Sequence, residues 1–175
     1  MAKRFVLIDR DGTLVVEKNY LSNPDELELI PGAAQALQRL QAAGWGLCVV
    51  TNQAGIGRGY FDLTDLEQVH RRLVEMLAQF NVTLDGIYFC PHAPDEGCSC
   101  RKPLPGMIHQ AMATHGFDPR EAWVIGDKEV DVGLGHAVGA KSILVRTGYG
   151  KLQESATHAD FVADDLAGAV DLILQ

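Results

Sequence analysis

The sequence predicts an α/β fold, a single Rossmann-like three-layer domain built on a mainly parallel sheet. Three observations lead there. Short apolar runs alternate with amphipathic stretches or loops along the chain. Several of those runs are apolar without interruption, the pattern of strands covered on both faces. The segments between them suit short right-handed crossovers joining parallel neighbours.

The first expected strand is Phe5–Ile8. A helix follows from about Ala33 to Ala43, with Leu37 and Leu40 facing inward and Gly44 as its stop. Leu47–Val50 is the second strand. Thr64, with Glu67 three residues on, reads as the N-cap of the clearest helix, which carries Leu66, Val69, Leu73, Met76, Leu77 and Phe80 on one face. That stripe is core rather than a binding face. Ile87–Phe89 is the third strand, and a third helix starts at Pro105 and ends before Gly116. Strands at Trp123–Ile125 and Ile143–Val145 come next, and the tail from about Lys151 adds a short strand, Phe161–Val162, and a helix ending near Leu174. Val15–Pro31 reads as a loop and Asn52–Asp85 as mostly one helix, which leaves no room for an inserted cap domain. Residues 1–175 are therefore expected to form one domain, with no repeat and no low-complexity segment.

Composition narrows the function classes. With 47% hydrophobic and 22% charged residues the chain is globular in character. Its formal charge of -8 opposes nonspecific attraction to nucleic acid or an anionic membrane, so a small molecule is the expected partner. The basic start Met1-Ala2-Lys3-Arg4 is followed by an apolar run too short for a secretory signal, and no stretch approaches the ~20 residues of a membrane helix. Three of four cysteines crowd between residues 90 and 100, which suits metal ligation in a reducing compartment. A cytoplasmic monomer is expected.

The chemistry gathers at strand ends. The first strand runs into Asp9-Arg10-Asp11-Gly12-Thr13, placing two carboxylates one residue apart at the carboxyl edge of the sheet, where ligands bind in such folds. Their repulsion calls for a bound cation or for one carboxyl to stay protonated. Alone, the segment is equally an Asp-Gly turn. Other strands, however, end in complementary residues: Thr51-Asn52-Gln53 after the second, and Gly126-Asp127-Lys128 with Asp131 after Trp123–Ile125. Separately these are turn and helix caps. Together they line one edge and bring Asp127 beside the Asp9/Asp11 pair, an oxygen-rich set suited to Mg²⁺. Arg101-Lys102, ahead of the stiff run Pro103-Leu104-Pro105, offers cations for phosphate.

A second cluster comprises Cys90, His92, Cys98 and Cys100, three thiols and an imidazole within eleven residues. Four protein ligands close a tetrahedron, so a structural Zn²⁺ site is expected, its loop 90–100 leading directly into Arg101 and Lys102. The other reading is a set of reduced cysteines. Gly55-Ile56-Gly57-Arg58-Gly59 follows a strand but lacks the dinucleotide spacing; it reads as a flexible wall of the site, with Arg58 near substrate. His70, His109, His115, His136 and His158 show no partner pattern and read as surface or packing residues. Gly133 and Gly135 have no functional account in the sequence.

Taken in order, Asp9-x-Asp11-Gly12-Thr13, Thr51, Lys102 and Gly126-Asp127 with Asp131 resemble the four signatures of the haloacid-dehalogenase-type phosphatases, across nearly the whole chain. The resemblance implies that Asp9 attacks phosphorus and that Asp11 is general acid and then base, beginning protonated. It implies Mg²⁺ held by the Asp9 carboxylate, the Asp11 backbone carbonyl, Asp127 and the Lys128 backbone, and phosphoryl oxygens held by Thr51 and Lys102. The runs Thr51–Gly59, Cys90-Pro91-His92 and Cys98-x-Cys100-Arg101-Lys102-Pro103 are similar to the capless, zinc-bearing subgroup, although the interval from His92 to Cys98 is short for it. That subgroup implies a sugar bisphosphate, a heptose bisphosphate first and histidinol phosphate as the alternative. Its substrate contacts would be Glu17, Lys18, Asn19, Tyr20, Asn52, Gln53, Ala54, Arg101 and Lys128. A catalytically silent, zinc-organised binding module is the reading from another class.

Overall fold

The computed structural model describes residues 3–175. Six parallel strands form one sheet: β1 (Phe5–Ile8), β2 (Gly46–Asn52), β3 (Gly86–Cys90), β4 (Trp123–Gly126), β5 (Lys141–Val145) and β6 (Phe161–Ala163), in the order β3-β2-β1-β4-β5-β6. The helices are α1 (Ala33–Ala42), α2 (Ala54–Gly57), α3 (Leu63–Ala78), α4 (Gly106–His115), α5 (Glu129–Val138), α6 (Gly150–Gln153) and α7 (Leu166–Leu174). Every expected strand is present, displaced at its ends by no more than two residues.

Successive strand residues point to opposite faces. Val6 and Ile8 pack with Leu37 and Leu40 of α1, Val69, Leu73 and Leu77 of α3, and Val170 of α7. Phe5 and Leu7 pack on the other face with Met107 and Ile108 of α4 and Leu134 of α5. Each such aliphatic side chain, fully buried, contributes about 1.5–3 kcal/mol. The two cores make the three layers, and β1 sits at the centre with all four residues buried.

Local differences from expectation have plain causes. The cap of α3 is Asp62, not Thr64: its side chain accepts from Asp65 N at 3.0 Å, while the Asp65 carboxylate accepts from Asp62 N at 3.0 Å. The same reciprocal chemistry lies two residues earlier, on acids that also favour a helix N-terminus. The glycine-rich stretch after β2 is the single-turn helix α2. Gly133 and Gly135 acquire a role in packing. A Cβ on Gly133 would lie 3.0 Å from Pro103 Cβ, and one on Gly135 would lie 3.4 Å from Val124 and Ser142. With no Cβ at either position, α5 sits closely against both the Lys102 loop and the sheet.

Candidate active site

In this strand order the chain reverses direction between β1 and β4, and the crevice outside their carboxyl ends is where open α/β sheets bind ligands. Asp9 leaves β1 there, its N–H bonded to Ile125 O at 2.9 Å, and Asp127 leaves β4. Thr51 lies near the end of β2, on the other side of β1.

Lys102 organises the centre. Its buried Nζ donates to Asp9 Oδ1 at 2.8 Å, Asp131 Oδ1 at 2.7 Å and Val50 O at 2.9 Å, which uses all three of its protons. Burial alone would lower its pKa, but the Asp131 and Asp9 charges outweigh that and raise it, so the ammonium stays charged. The loop is fixed as well: Lys102 N donates to Asn52 Oδ1 at 3.0 Å, and Asn52 Nδ2 donates back to Lys102 O at 3.4 Å.

Ligand oxygens of Asp9, Asp127 and Asp131 lie within 4.8 Å of one another. Both Asp131 oxygens are engaged, Oδ1 by Lys102 and Oδ2 by Lys128 N at 3.0 Å. Asp127 differs. Its Oδ2 accepts from Tyr149 N at 2.8 Å, while Oδ1 is buried with no hydrogen-bond partner. Burial, and then the Asp9 charge, push the Asp127 carboxyl up to about 8, so ionising it calls for a cation beside Oδ1. Hard oxygen donors around an orphaned carboxylate oxygen fit Mg²⁺. Gly12, at φ 86°, passes this carboxylate so closely that a Cβ there would overlap it.

The Asp11 side chain does not join that cluster, contrary to the paired carboxylates expected from the sequence. It accepts a fork from Arg10 Nε and Nη2 at 3.0–3.2 Å and a third bond from Gln53 Nε2 at 3.0 Å. Two side-chain cations, Arg10 for Asp11 and Lys102 for Asp9, therefore separate the charges that sequence reasoning left to a bound ion or a proton. Gln53 Nε2 also donates to Thr51 Oγ1 at 2.8 Å, which leaves the Thr51 proton available to an incoming acceptor. His70, expected to be a surface or packing residue, faces Arg10 Nη1 at 3.2 Å through Nε2.

A pocket of about 380 Å³ opens over Asp9, Asp11, Lys102 and Asp131, with Thr51 and Asp127 buried behind its lining. Of the expected substrate contacts, Glu17, Asn19, Tyr20, Asn52, Gln53, Ala54, Arg101 and Lys128 line it, as does Arg58. Lys18 does not; it pairs with Glu28 at 3.2 Å. The sequence missed Tyr149, which lines the pocket with Lys128 Nζ 4.8 Å from its ring centroid. Its signal was the turn after β5, on the same carboxyl edge.

The second cluster also assembles. Cys90 Sγ lies 3.7 Å from Cys98 Sγ and 3.5 Å from His92 Nδ1, and Cys100 Sγ lies 3.4 Å from His92 Nδ1. A tetrahedron with Zn–S and Zn–N bonds of ordinary length has S···S edges of about 3.8 Å and S···N edges of about 3.6 Å. The donor set fits zinc in type and in spacing. Gln53 N bonds to Cys90 O at 2.7 Å and Arg101 Nη1 to His92 O at 3.4 Å, so the knot braces both sides of the pocket.

Comparison with known proteins agrees with this geometry. Residues 99–169 match the HAD-hydrolase-like family model. The D-glycero-beta-D-manno-heptose-1,7-bisphosphate 7-phosphatase of Pseudomonas aeruginosa is 39% identical, with 100% of both chains covered. Its namesake from Haemophilus ducreyi is 40% identical over 99% of this chain and 98% of its own. Among solved structures, the D,D-heptose 1,7-bisphosphate phosphatase of B. bronchiseptica, complexed with magnesium and phosphate, superposes with a TM-score of 0.93 at 35% identity over 98% of each chain.

Proposed function

Because the chain belongs to the heptose-1,7-bisphosphate phosphatase family of HAD-like hydrolases, we propose that it removes the 7-phosphate of D-glycero-D-manno-heptose 1,7-bisphosphate. The observation that carries the reading is the Asp9 carboxylate, held at the strand end by Lys102 and within 4.8 Å of the Asp127 carboxylate, whose Oδ1 has no partner. An anion so compensated can meet a second anion, a phosphate.

In the first step an Asp9 oxygen bonds to phosphorus as the bond from phosphorus to the sugar oxygen breaks, and that oxygen takes a proton from Asp11. In the second, water bonds to phosphorus, the bond to Asp9 breaks, and the water proton passes to Asp11. Thr51 donates to a phosphoryl oxygen and the Lys102 ammonium offsets the charge on phosphate. The Asp9 carboxylate, the Asp11 backbone carbonyl, Asp127 and the Lys128 backbone would hold Mg²⁺, which would supply the remaining neutralisation. That the B. bronchiseptica relative is complexed with magnesium and phosphate supports Mg²⁺ as the ion. Cys90, His92, Cys98 and Cys100 would hold a Zn²⁺, which would fix the loop that carries Arg101 and Lys102. The thiol-rich knot supports a reducing, cytoplasmic setting.

An open mouth, with no inserted cap among the described residues, leaves selection of the sugar to Glu17, Asn19, Tyr20, Arg101 and Lys128. The test compares kcat/KM for the heptose bisphosphate and for histidinol phosphate. A ratio of about tenfold or more in favour of the heptose is expected; a ratio near one, or the reverse preference, rejects the assignment. An Mg²⁺-dependent turnover of any phosphomonoester removes the silent-module alternative.

A further inference from the structure

Arg10 stands between two acids of the site, yet its side chain is fully buried. Its Nε and Nη2 hold both oxygens of Asp11, and its Nη1 meets His70 Nε2 at 3.2 Å. A guanidinium only donates, so Nε2 is the acceptor and the ring proton is on Nδ1. Burial, and then the Arg10 charge, push the His70 pKa down to about 3, which keeps that lone pair available. The ring also packs 6.0 Å from that of Phe89. A hydrogen-bonded path thus runs from α3 through Arg10 to Asp11 at the pocket, where Gln53 completes the donors around the carboxylate. Both Asp11 oxygens face donors only. Such a shell of donors suits the carboxylate that Asp11 becomes once it has given up its proton in the first step.

We propose that His70 is a positioning residue for the second chemical step: by bracing Arg10, it holds the Asp11 carboxylate in place to take the proton from the attacking water. In that step the water oxygen bonds to phosphorus, the Asp9–phosphorus bond breaks and the water proton ends on Asp11. The inference rests on the reading of Asp11 as acid and base given above.

The test uses the full chain with Mg²⁺ and p-nitrophenyl phosphate, whose nitrophenolate leaves without a proton, so that the first step does not lean on Asp11. Two quantities are read: the fraction of enzyme carrying phosphorus at saturating substrate, by acid quench and intact mass, and kcat/KM, which reports only steps through nitrophenolate release. His70→Leu should slow hydrolysis of the phosphoenzyme on the order of tenfold. The phosphorylated fraction then rises several-fold while kcat/KM stays within about threefold of wild type. His70→Gln, whose amide oxygen reaches the Nε2 position, should return the fraction most of the way. Arg10→Lys keeps the charge but loses the fork; it should repeat the His70→Leu signature and stands in if that variant does not fold. A fraction that does not rise in a folded variant, or a kcat/KM that falls in parallel with turnover, overturns the proposal. Asp11→Asn separates the two layers. If it raises the phosphorylated fraction and the His70 variant does not, the proposal falls alone. If it does not, the acid–base reading of Asp11 falls and takes the proposal with it.

Discussion

The Lys102 ammonium lies 2.8 Å from Asp9 Oδ1, with both groups almost wholly buried and a second carboxylate, Asp131, 2.7 Å away on its other side. Removing one partner from such a cluster strands the others in a medium that penalises charge. Lys102→Met should therefore lower stability by about 3–5 kcal/mol in urea unfolding. It should also lower kcat at least ~10²-fold, the scale on which a lost electrostatic partner acts. Activity within threefold of wild type would mean that the charge on phosphate is offset elsewhere.

The proposed zinc site makes its own prediction. Elemental analysis of protein purified without chelator should find one zinc per chain. Chelation followed by restoration of Mg²⁺ alone should leave activity low, because the bonds from Gln53 N to Cys90 O and from Lys102 N to Asn52 Oδ1 tie the knot to the residues proposed to bind phosphate. Adding Zn²⁺ back should restore it. Limited proteolysis of the chelated protein should cut first between residues 91 and 103. Full activity with Mg²⁺ and no zinc would reduce the knot to decoration.

A pH dependence follows from His70. Its pKa falls from the ordinary value near 6.5 to about 3 in the folded chain, through burial first and the Arg10 charge second. Between those values the unfolded chain binds a proton that the folded chain refuses. The stabilisation is therefore complete above about pH 6.5 and is lost progressively as pH falls towards 3. Glutamine does not titrate. From pH 7 to pH 4, wild type should lose about 1–3 kcal/mol more stability than His70→Gln, read from paired denaturant curves. Parallel losses would show that His70 is free to take its proton.

Much of this was readable beforehand because the signals were local. Apolar runs placed all six strands, and strand ends placed Asp9, Thr51 and Asp127, since in a parallel sheet the carboxyl ends share one edge. The clustering of Cys90, His92, Cys98 and Cys100 was equally legible, the four lying within eleven residues. What escaped depended on side-chain direction. That Asp11 turns to Arg10 rather than to Asp9, that Lys18 turns to Glu28, and that His70 reaches a residue 60 positions away are decided by packing. Two carboxylates one residue apart look like a pair in sequence, yet only the fold shows that each has its own cation.

The central claim, that Asp9 carries phosphorus during turnover, is tested most directly by rapid acid quench of the working enzyme followed by peptide mass spectrometry. A phosphoryl group on the peptide containing Asp9, formed and lost at rates compatible with kcat and absent in Asp9→Asn, is the predicted result. Brisk hydrolysis with no phosphoryl group on that peptide at any quench time would contradict it.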